Sequence, residues 1–495
     1  MRSVDGETAS IMPARSWTSP RPRLTSFALL AALAFLVLSL LPSTSRTELT
    51  AGDGPAKPNV LVVMTDDQDV TSLRVMRKLR RTLGDGGVSF VNAFANTPLC
   101  CPARAIYLTG QYAHNNGVIS NGGARGGFSA FDPRGNLAEA VQGAGYRTGF
   151  IGKYMNGYWK AAERRPKRAI PPGFDQWIAS LDHAMYGYRL NVDGRLKRVG
   201  RRPRHYDTSV IARRAQRFID RSLDRGEPFF LSLLTLAPHG EPRRIKRDLW
   251  PSPRPAPRHR ARFRKLRLPK PPSFNLRDVS GKPRVVRKES RFSRAAKREL
   301  RRRHRSRLRS LLAVDDMVDR LILRLRERGA LDDTYVIFTS DNGFLLGEHR
   351  LQGKIHLYEE SVRIPLLIRG PGIPAGATRR QLVGLVDLAP TINEITGAAP
   401  LREPDGISLV PLIADPQAEI DRSILLENHV GASAVRAPGF FYAEHSRSGE
   451  TELYDLEVDP HQLTNVRDDA RYRADRDRLA ARLDELRDCV GRECR

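Results

Sequence analysis

"NVLVVMTDDQ", residues 59–68, decides the fold. Asn59 to Met64 is a short β-branched and aliphatic run without polar alternation, the pattern of a strand buried on both faces. It stops at Thr65-Asp66-Asp67, so a buried run ends on two carboxylates. The arrangement recurs: "YRTGFIG" stops at Lys153, "PFFLSLLTL" runs into Ala237-Pro238-His239, and "TYVIFTS" runs into Asp341-Asn342-Gly343. Between the strands lies helical periodicity, with Leu308, Leu311, Val314, Val318, Leu321 and Leu325 at three- and four-residue steps. Strands alternating with helices predict an α/β fold, a mostly parallel central sheet sandwiched by helices. Ligands of such sheets bind beyond the carboxyl ends of the strands, so the four polar strand ends are expected to converge at one edge.

That edge carries hard oxygen donors. Asp66, Asp67, Asp341 and Asn342 suit Ca²⁺ or Mg²⁺ and suit copper or structural zinc poorly. Either pair alone reads as a cap or turn, and it is their placement after two buried strands that favours a metal site. Arg104, Lys153, His239 and Lys354 would suit an anion with several oxygens. Cys100 and Cys101 precede Pro102 at the start of "ARAIYLTG", which puts them at the positive end of a helix. Two buried thiols acting as small hydrophobes are the plain alternative, and the helix terminus favours a reactive residue.

The chain has 495 residues, 40% of them hydrophobic, enough for one large core and a second small one. Four cysteines are too few for a disulfide scaffold, although Cys489 and Cys494 could close a small loop in an oxidising compartment. Residues 1–45 read as an export signal, basic first, then "FALLAALAFLVLSLL" from Phe27 to Leu41, then small polar residues. An uncleaved anchor at residues 27–41 is the alternative, and membrane contact is expected only in that case. Residues 46–57 read as a linker. The formal charge of +28 is concentrated between Arg243 and Arg309, without zinc-finger spacing and with few aromatics to stack bases, so no nucleic-acid partner is expected. The simpler reading is a solvated arginine-rich insertion, partly disordered. The functional one is a surface for a polyanion, for an exported protein a sulfated or uronic polysaccharide.

Cys100-Cys101-Pro102-Ala103-Arg104, followed by "AIYLTGQYAHNNGV", resembles the Cys-X-Pro-Ser-Arg signature of the type I sulfatases, of the alkaline-phosphatase superfamily. Further stretches similar to the family's appear in order: "GFIGKYMNGY", "LAPHGEP", "TSDNGFLLGEH", "GKIHLYEESVRIPLLIRGPG" and "ELYDLEVDPHQLTNV". The resemblance implies that a dedicated maturation enzyme oxidises Cys100 to formylglycine, Cys101 being the variable position, and that the hydrated aldehyde attacks sulfur. It implies a Ca²⁺ site, with Mg²⁺ the second choice, made by Asp66, Asp67, Asp341, Asn342 and the modified Cys100. Arg104 and Lys153 match residues that hold the nucleophile and sulfate. Lys354 and His239 match those on the sulfate and the departing oxygen, His239 as candidate general acid.

The chain departs from the family at Ala103, where Ser is usual, and after Lys153. There Tyr154-Met155-Asn156 replaces a Trp-His pair, leaving the role of that His unassigned and Asn156 a weak candidate for it. The Cys-Cys-Pro and Gly-Lys-Tyr-X-Asn variants resemble the branch holding N-acetylglucosamine-6-sulfatases and extracellular endosulfatases, which leans the substrate toward a sulfated sugar. A phosphonate monoester or phosphodiester hydrolase of the same superfamily is the first rival reading. The second is an inactive polyanion-binding protein. The expected domains are a catalytic α/β domain over 58–399, with the Arg-rich insertion at 243–309, and a smaller C-terminal α+β domain over 400–495 carrying an antiparallel sheet.

Overall fold

Strand β1 (Asn59–Thr65) is buried along its whole length. Val60, Val62 and Met64 enter the core on one face of the sheet, and Leu61 and Val63 the core on the other. It is therefore a central strand. The others follow as β2 (Val88–Phe94), β3 (Arg147–Lys153), β4 (Gln176–Ser180), β5 (Arg189–Val192), β6 (Arg195–Arg198), β7 (Phe229–Leu234) and β8 (Thr334–Ser340). The computed structural model describes residues 57–241, 251–415 and 417–495. The export segment expected at 1–45, the linker up to residue 56 and the first part of the Arg-rich stretch, 243–250, lie outside the described residues. Among the described residues no helix is long and apolar enough to cross a membrane.

Among the described residues the main sheet has 11 strands, in the order Ala377–Arg379, β2, Arg363–Arg369, β8, β1, β7, β3, β4, β5, β6, with Val383–Gly384 also on β2. The five central strands, β8 to β4, run parallel, as the sequence predicts for runs buried on both faces. Their register sets the functional edge. Thr339 pairs with Met64, Met64 with Leu234, Leu234 with Gly152, and Gly152 with Ala179. Five strands thus end level, and the residues after them meet along one rim. Gly152 is fixed by this packing: its φ is +127°, and a Cβ there would lie 1.8 Å from the Leu234 carbonyl oxygen.

The helix Cys100–Thr109 is buried throughout, beneath one face of the sheet, and stops at Gly110 with φ +70°. The opposite face is covered by Asp207–Leu223 and by Arg294–Glu327, whose Leu308, Leu311, Val314, Val318, Leu321 and Leu325 are all buried as their spacing predicts. That helix corrects the reading of the Arg-rich stretch as one partly disordered insertion ending at Arg309. Residues 294–309 are the first half of a continuous 34-residue helix capped by Ser293. The helix survives its charge because Leu300, Leu308 and Leu311 anchor one face while Arg294, Arg298, Arg301 and Arg302 occupy the exposed one.

Ile424–Glu427, Ala432–Ala437, Phe440–His445 and Glu450–Asp455 form an antiparallel meander, with the helix Arg473–Arg487 against it. Its core is not separate, since Leu425, Val435, Leu453 and Leu483 belong to the same buried cluster as Val60 and Val62. Cys489 and Cys494 form a disulfide, and the Cys489 carbonyl accepts from Asn115 Nδ2 at 2.8 Å and lies 3.0 Å from His114 Nε2. His114 Nδ1 is 3.0 Å from Glu427 Oε1.

This clasp titrates. Burial opposes the His114 charge, but Glu427 and the Cys489 carbonyl outweigh it and raise the imidazole to about 9. A folded pKa above the unfolded one means that the contribution is complete below about pH 6.5 and is lost as pH rises through about 9. Denaturant unfolding of wild type and His114→Gln should therefore show a stability gap at pH 6 that closes by pH 10. A gap independent of pH would refute the clasp.

Candidate active site

Each strand end places one part of the site. After β1, Asp66 and Asp67 are fully buried, and Asp67 turns the chain with φ +69°, a left-handed conformation that Asp tolerates better than most residues. The Asp67 N–H donates to Asp341 Oδ1 at 3.0 Å, which ties the ends of β1 and β8 together. Asn342 Nδ2 donates to Asp67 Oδ1 at 2.9 Å. Lys153, the last residue of β3, donates from Nζ to Asp66 Oδ2.

The Cys100–Thr109 helix enters this rim at its first turn. Leu99 is the N-cap without a side-chain bond, and Asn121 Oδ1 accepts the Cys101 N–H at 2.9 Å. Pro102, also in this turn, has no N–H to satisfy. Around Cys100 Sγ stand Lys354 Nζ at 2.8 Å, Lys153 Nζ at 3.4 Å and Asp66 Oδ1 at 3.5 Å. Lys354 also donates to Asp67 Oδ1 and reaches Asn342 Oδ1 at 3.4 Å. Cys101 points elsewhere and accepts the Asn156 N–H at 3.1 Å.

Arg104, one turn on, is wholly buried. It donates from Nε and Nη2 to Asp341 Oδ2 at 3.1 and 3.0 Å, from Nη2 to Asp66 Oδ2 at 3.3 Å, and from Nη1 to the Lys153 and Tyr154 carbonyls. His239, after β7, places Nε2 3.9 Å from Asp67 Oδ2, while its Nδ1 faces the Gly240 carbonyl at 2.6 Å. The structure brings all nine expected residues together: Asp66, Asp67, Cys100, Arg104, Lys153, His239, Asp341, Asn342 and Lys354.

The electrostatics follow from burial set against mutual pairing. Burial opposes ionisation of Asp66, yet Lys153, His239, Arg104 and Lys354 together hold its carboxyl well below the usual range. Asp341 is pushed up to about 6, by burial and then by Asp66. Cys100 is pushed up to about 12, again by burial and then by Asp66, so the helix terminus does not activate this thiol as its position in the sequence suggests. Its desolvation outweighs the two lysines. His239 is lowered to about 4 by burial and Lys153, and so is neutral near pH 7.

The site has the makings of a metal site. Ligand atoms of Asp66, Asp67, Cys100 and His239 lie within 4.8 Å of one another, and the buried Asp67 Oδ2 has no hydrogen-bond partner.

Two residues at the rim escape sequence reasoning. His183 follows β4, the fifth parallel strand, and its ring lies 5.8 Å from that of His239. Burial and then Lys153 keep it neutral. The short run "QWIAS" was its only signal. Arg307, on the long basic helix, is buried, lies over the Phe344 ring and donates to the Asp67 carbonyl. Asn156, the candidate for the unassigned histidine role, has a buried Oδ1 without a hydrogen-bond partner and lines the same cavity as Lys153 and His183.

An edge of this kind, with cations crowding one small side chain and carboxylates behind them, suits an α/β enzyme that acts on an anionic group. Comparison with known proteins specifies it further: the chain belongs to the sulfatase family, whose profile matches residues 58–398, and is a sulfuric ester hydrolase. A second profile, N-sulphoglucosamine sulphohydrolase, C-terminal, matches residues 347–489. The chain is 32% identical over 389 residues to a human N-acetylglucosamine-6-sulfatase, covering 76% of this chain and 68% of the relative. It is 34% identical over 366 residues to an extracellular sulfatase SULF-1 homolog of Drosophila melanogaster, covering 72% of this chain and 31% of that one. A solved structure described as in complex with its substrate D-glucosamine-2-N,6-O-disulfate superposes with a TM-score of 0.73 at 24% identity, over 87% of this chain and 97% of that one, a likeness of fold.

Proposed function

We propose that this sulfatase hydrolyses a sulfate ester on a carbohydrate, using formylglycine made from Cys100 by a maturation enzyme and a divalent cation, calcium before magnesium. The observation that supports it most is the position of Cys100 Sγ, between Lys354 and Lys153 and in contact with Asp66. The cation would be held by Asp66, Asp67, Asp341, Asn342 and residue 100. When bound, formylglycine and the cation supply a nucleophilic oxygen and neutralise negative charge.

The chain's own residues do the rest. Lys153 and Lys354 flank position 100, so a sulfate brought into line with it takes charge-assisted bonds from both. Arg104 holds Asp66 and Asp341 in place by its fork. His239 faces the reacting side through Nε2, its ring oriented by the Gly240 carbonyl, and gives a proton to the departing alcohol oxygen once the bound anion has raised its affinity for one. The named carbohydrate sulfatase relatives support a sugar as the alcohol, and the extracellular relative supports export, as does the Cys489–Cys494 disulfide.

Mass spectrometry of the peptide carrying Cys100, from protein expressed with its maturation enzyme, should show a loss of about 18 Da against the unmodified cysteine. The same preparation should hydrolyse glucosamine 6-sulfate and an aryl sulfate in preference to an aryl phosphodiester. An intact thiol in active protein would overturn the reading, and preference for the phosphodiester would favour the hydrolase rival. Chelator should reduce turnover, and calcium should restore it more fully than magnesium at equal concentration.

A further inference from the structure

The arginine-rich stretch has no part in the chemistry above, yet the structure gives it a definite shape. Between Asp248 and Asp278 the sequence has no acidic residue. Arg260, Arg262, Arg264, Lys265 and Arg267 are all exposed, and among the described residues none of them is in an ion pair. Their loop is laid against the long helix, where Arg309 Nε donates to the Arg262 carbonyl at 2.6 Å and Arg305 Nε to the Leu266 carbonyl at 2.8 Å. Arg294, Arg298 and Arg301 on that helix are exposed as well. Two basic segments distant in sequence therefore share one surface.

That surface is tied to the catalytic rim in two ways. Arg307, on the same helix, reaches inward to the Asp67 carbonyl, and a helix with its side chains is only about 10–12 Å across. The loop also starts at the catalytic cavity. Arg254, held by Glu241 at 2.6 Å, lines a cavity of about 620 Å³ together with Lys153, His183, Trp159 and Arg201. From there the chain passes through Arg258, bound to Asp316 at 2.8 Å, to the unpaired arginines. The chain thus runs from the cavity that Lys153 lines, past two paired arginines, to the exposed unpaired cations. Crowding unpaired charges in this way costs self-repulsion that a bound polyanion would relieve.

We propose that this path is a docking track for a polysulfated carbohydrate chain, which presents one sulfate to the catalytic rim while its other sulfates lie along the arginines. The proposal rests on the reading of the rim as a carbohydrate sulfatase site and extends it to a polymeric substrate. Arginine forks match sulfate oxygens in pairs. The track offers little to a nucleic acid, because between residues 257 and 277 its aromatics are Phe263 and Phe274, both half-buried.

The test replaces Arg260, Arg262, Arg264, Lys265 and Arg267 together by serine in the full chain. Turnover of an aryl sulfate should stay within about twofold of wild type, because none of the five touches the reacting atoms. The KM for heparin, followed by sulfate release, should rise by about tenfold or more, and its dependence on salt should flatten as fewer counterions are displaced. Binding is measured separately with Cys100→Ala as background, so that it does not depend on turnover. There heparin should bind at least about tenfold more weakly to the five-site variant, and more tightly to the parent than hyaluronan or duplex DNA does at the same salt. Unchanged heparin affinity in the variant overturns the proposal, and tighter binding of DNA reassigns the track to nucleic acid. Weakened heparin binding in a protein without sulfatase activity would keep the track and reject the reading of the rim.

Discussion

Cys100→Ala is expected to lower sulfate-ester turnover by at least about 10⁴-fold, the scale on which loss of a nucleophile acts, and to leave the fold intact. Stability should change little because the framework of the rim does not pass through the sulfur. Arg104 still bridges Asp66 and Asp341, and the lysines keep Asp66 and Asp67 as partners. What is lost is a small buried group, a change of about 1–2 kcal/mol. Cys100→Ser separates the nucleophile from the regenerating step. A serine hydroxyl between Lys153 and Lys354 can take the sulfuryl group by forming one S–O bond as the bond to the alcohol breaks, and the alcohol leaves with the proton. The product is a serine sulfate with no second hydroxyl on the same carbon to expel it. The Ser variant should therefore release no more than one alcohol per protein and gain about 80 Da at residue 100. Multiple turnover by either variant, measured against an aryl sulfate, would remove residue 100 from the reaction.

The residues behind this prediction differ in how plainly the sequence shows them. Asp66, Lys153, His239 and Asp341 are legible because each follows a run with no polar alternation, and a strand buried on both faces in a parallel sheet must deliver its end to the ligand edge. The level register through Thr339, Met64, Leu234 and Gly152 makes that delivery accurate. Lys354 is less plain, since it follows the two-residue strand Gln352–Gly353 rather than a buried run, and its role comes from the family pattern. His183 is hidden because the five-residue β4 is too short to announce itself, and Leu181 and Asp182 separate its end from the histidine. Arg307 is hidden for another reason. Charge periodicity assigns an arginine to the solvated face of a helix, whereas here a carbonyl at the rim and the Phe344 ring compensate its burial. The same periodicity makes an insertion boundary at Arg309 invisible, because the leucines that hold the helix continue on both sides of it.

Arg104 is where the loss of stability should be largest. Arg104→Met is expected to destabilise the folded protein by about 3–5 kcal/mol, the cost of removing one partner from a buried ionic cluster. Both carboxylates it bridges are fully buried, and its remaining donors serve the Lys153 and Tyr154 carbonyls. Without it, Asp341, already raised to about 6 by burial and Asp66, loses its only ion pair among the described residues. The carboxyl can escape that cost by taking up a proton. Removing Arg104 raises the Asp341 carboxyl further, so the Met variant should take up that proton above about pH 6, where wild type keeps Asp341 ionised, and its deficit should shrink as pH falls from 8 toward 6. Arg104→Lys keeps the charge but has no planar fork, so it cannot serve Asp341, Asp66 and two carbonyls at once, and its deficit should fall between those of wild type and Met. Activity is a poor readout for this residue, because the family resemblance makes the arginine part of what the maturation enzyme reads, and turnover would fall for either cause. Equilibrium unfolding of unconverted protein, wild type and both variants, in denaturant from pH 5 to 8 separates the two. Equal stability of wild type and Arg104→Met across that range would show that Arg104 serves maturation alone. A graded loss that is largest near pH 8 would place it as the tie between the ends of β1, β3 and β8 that keeps the carboxylates together.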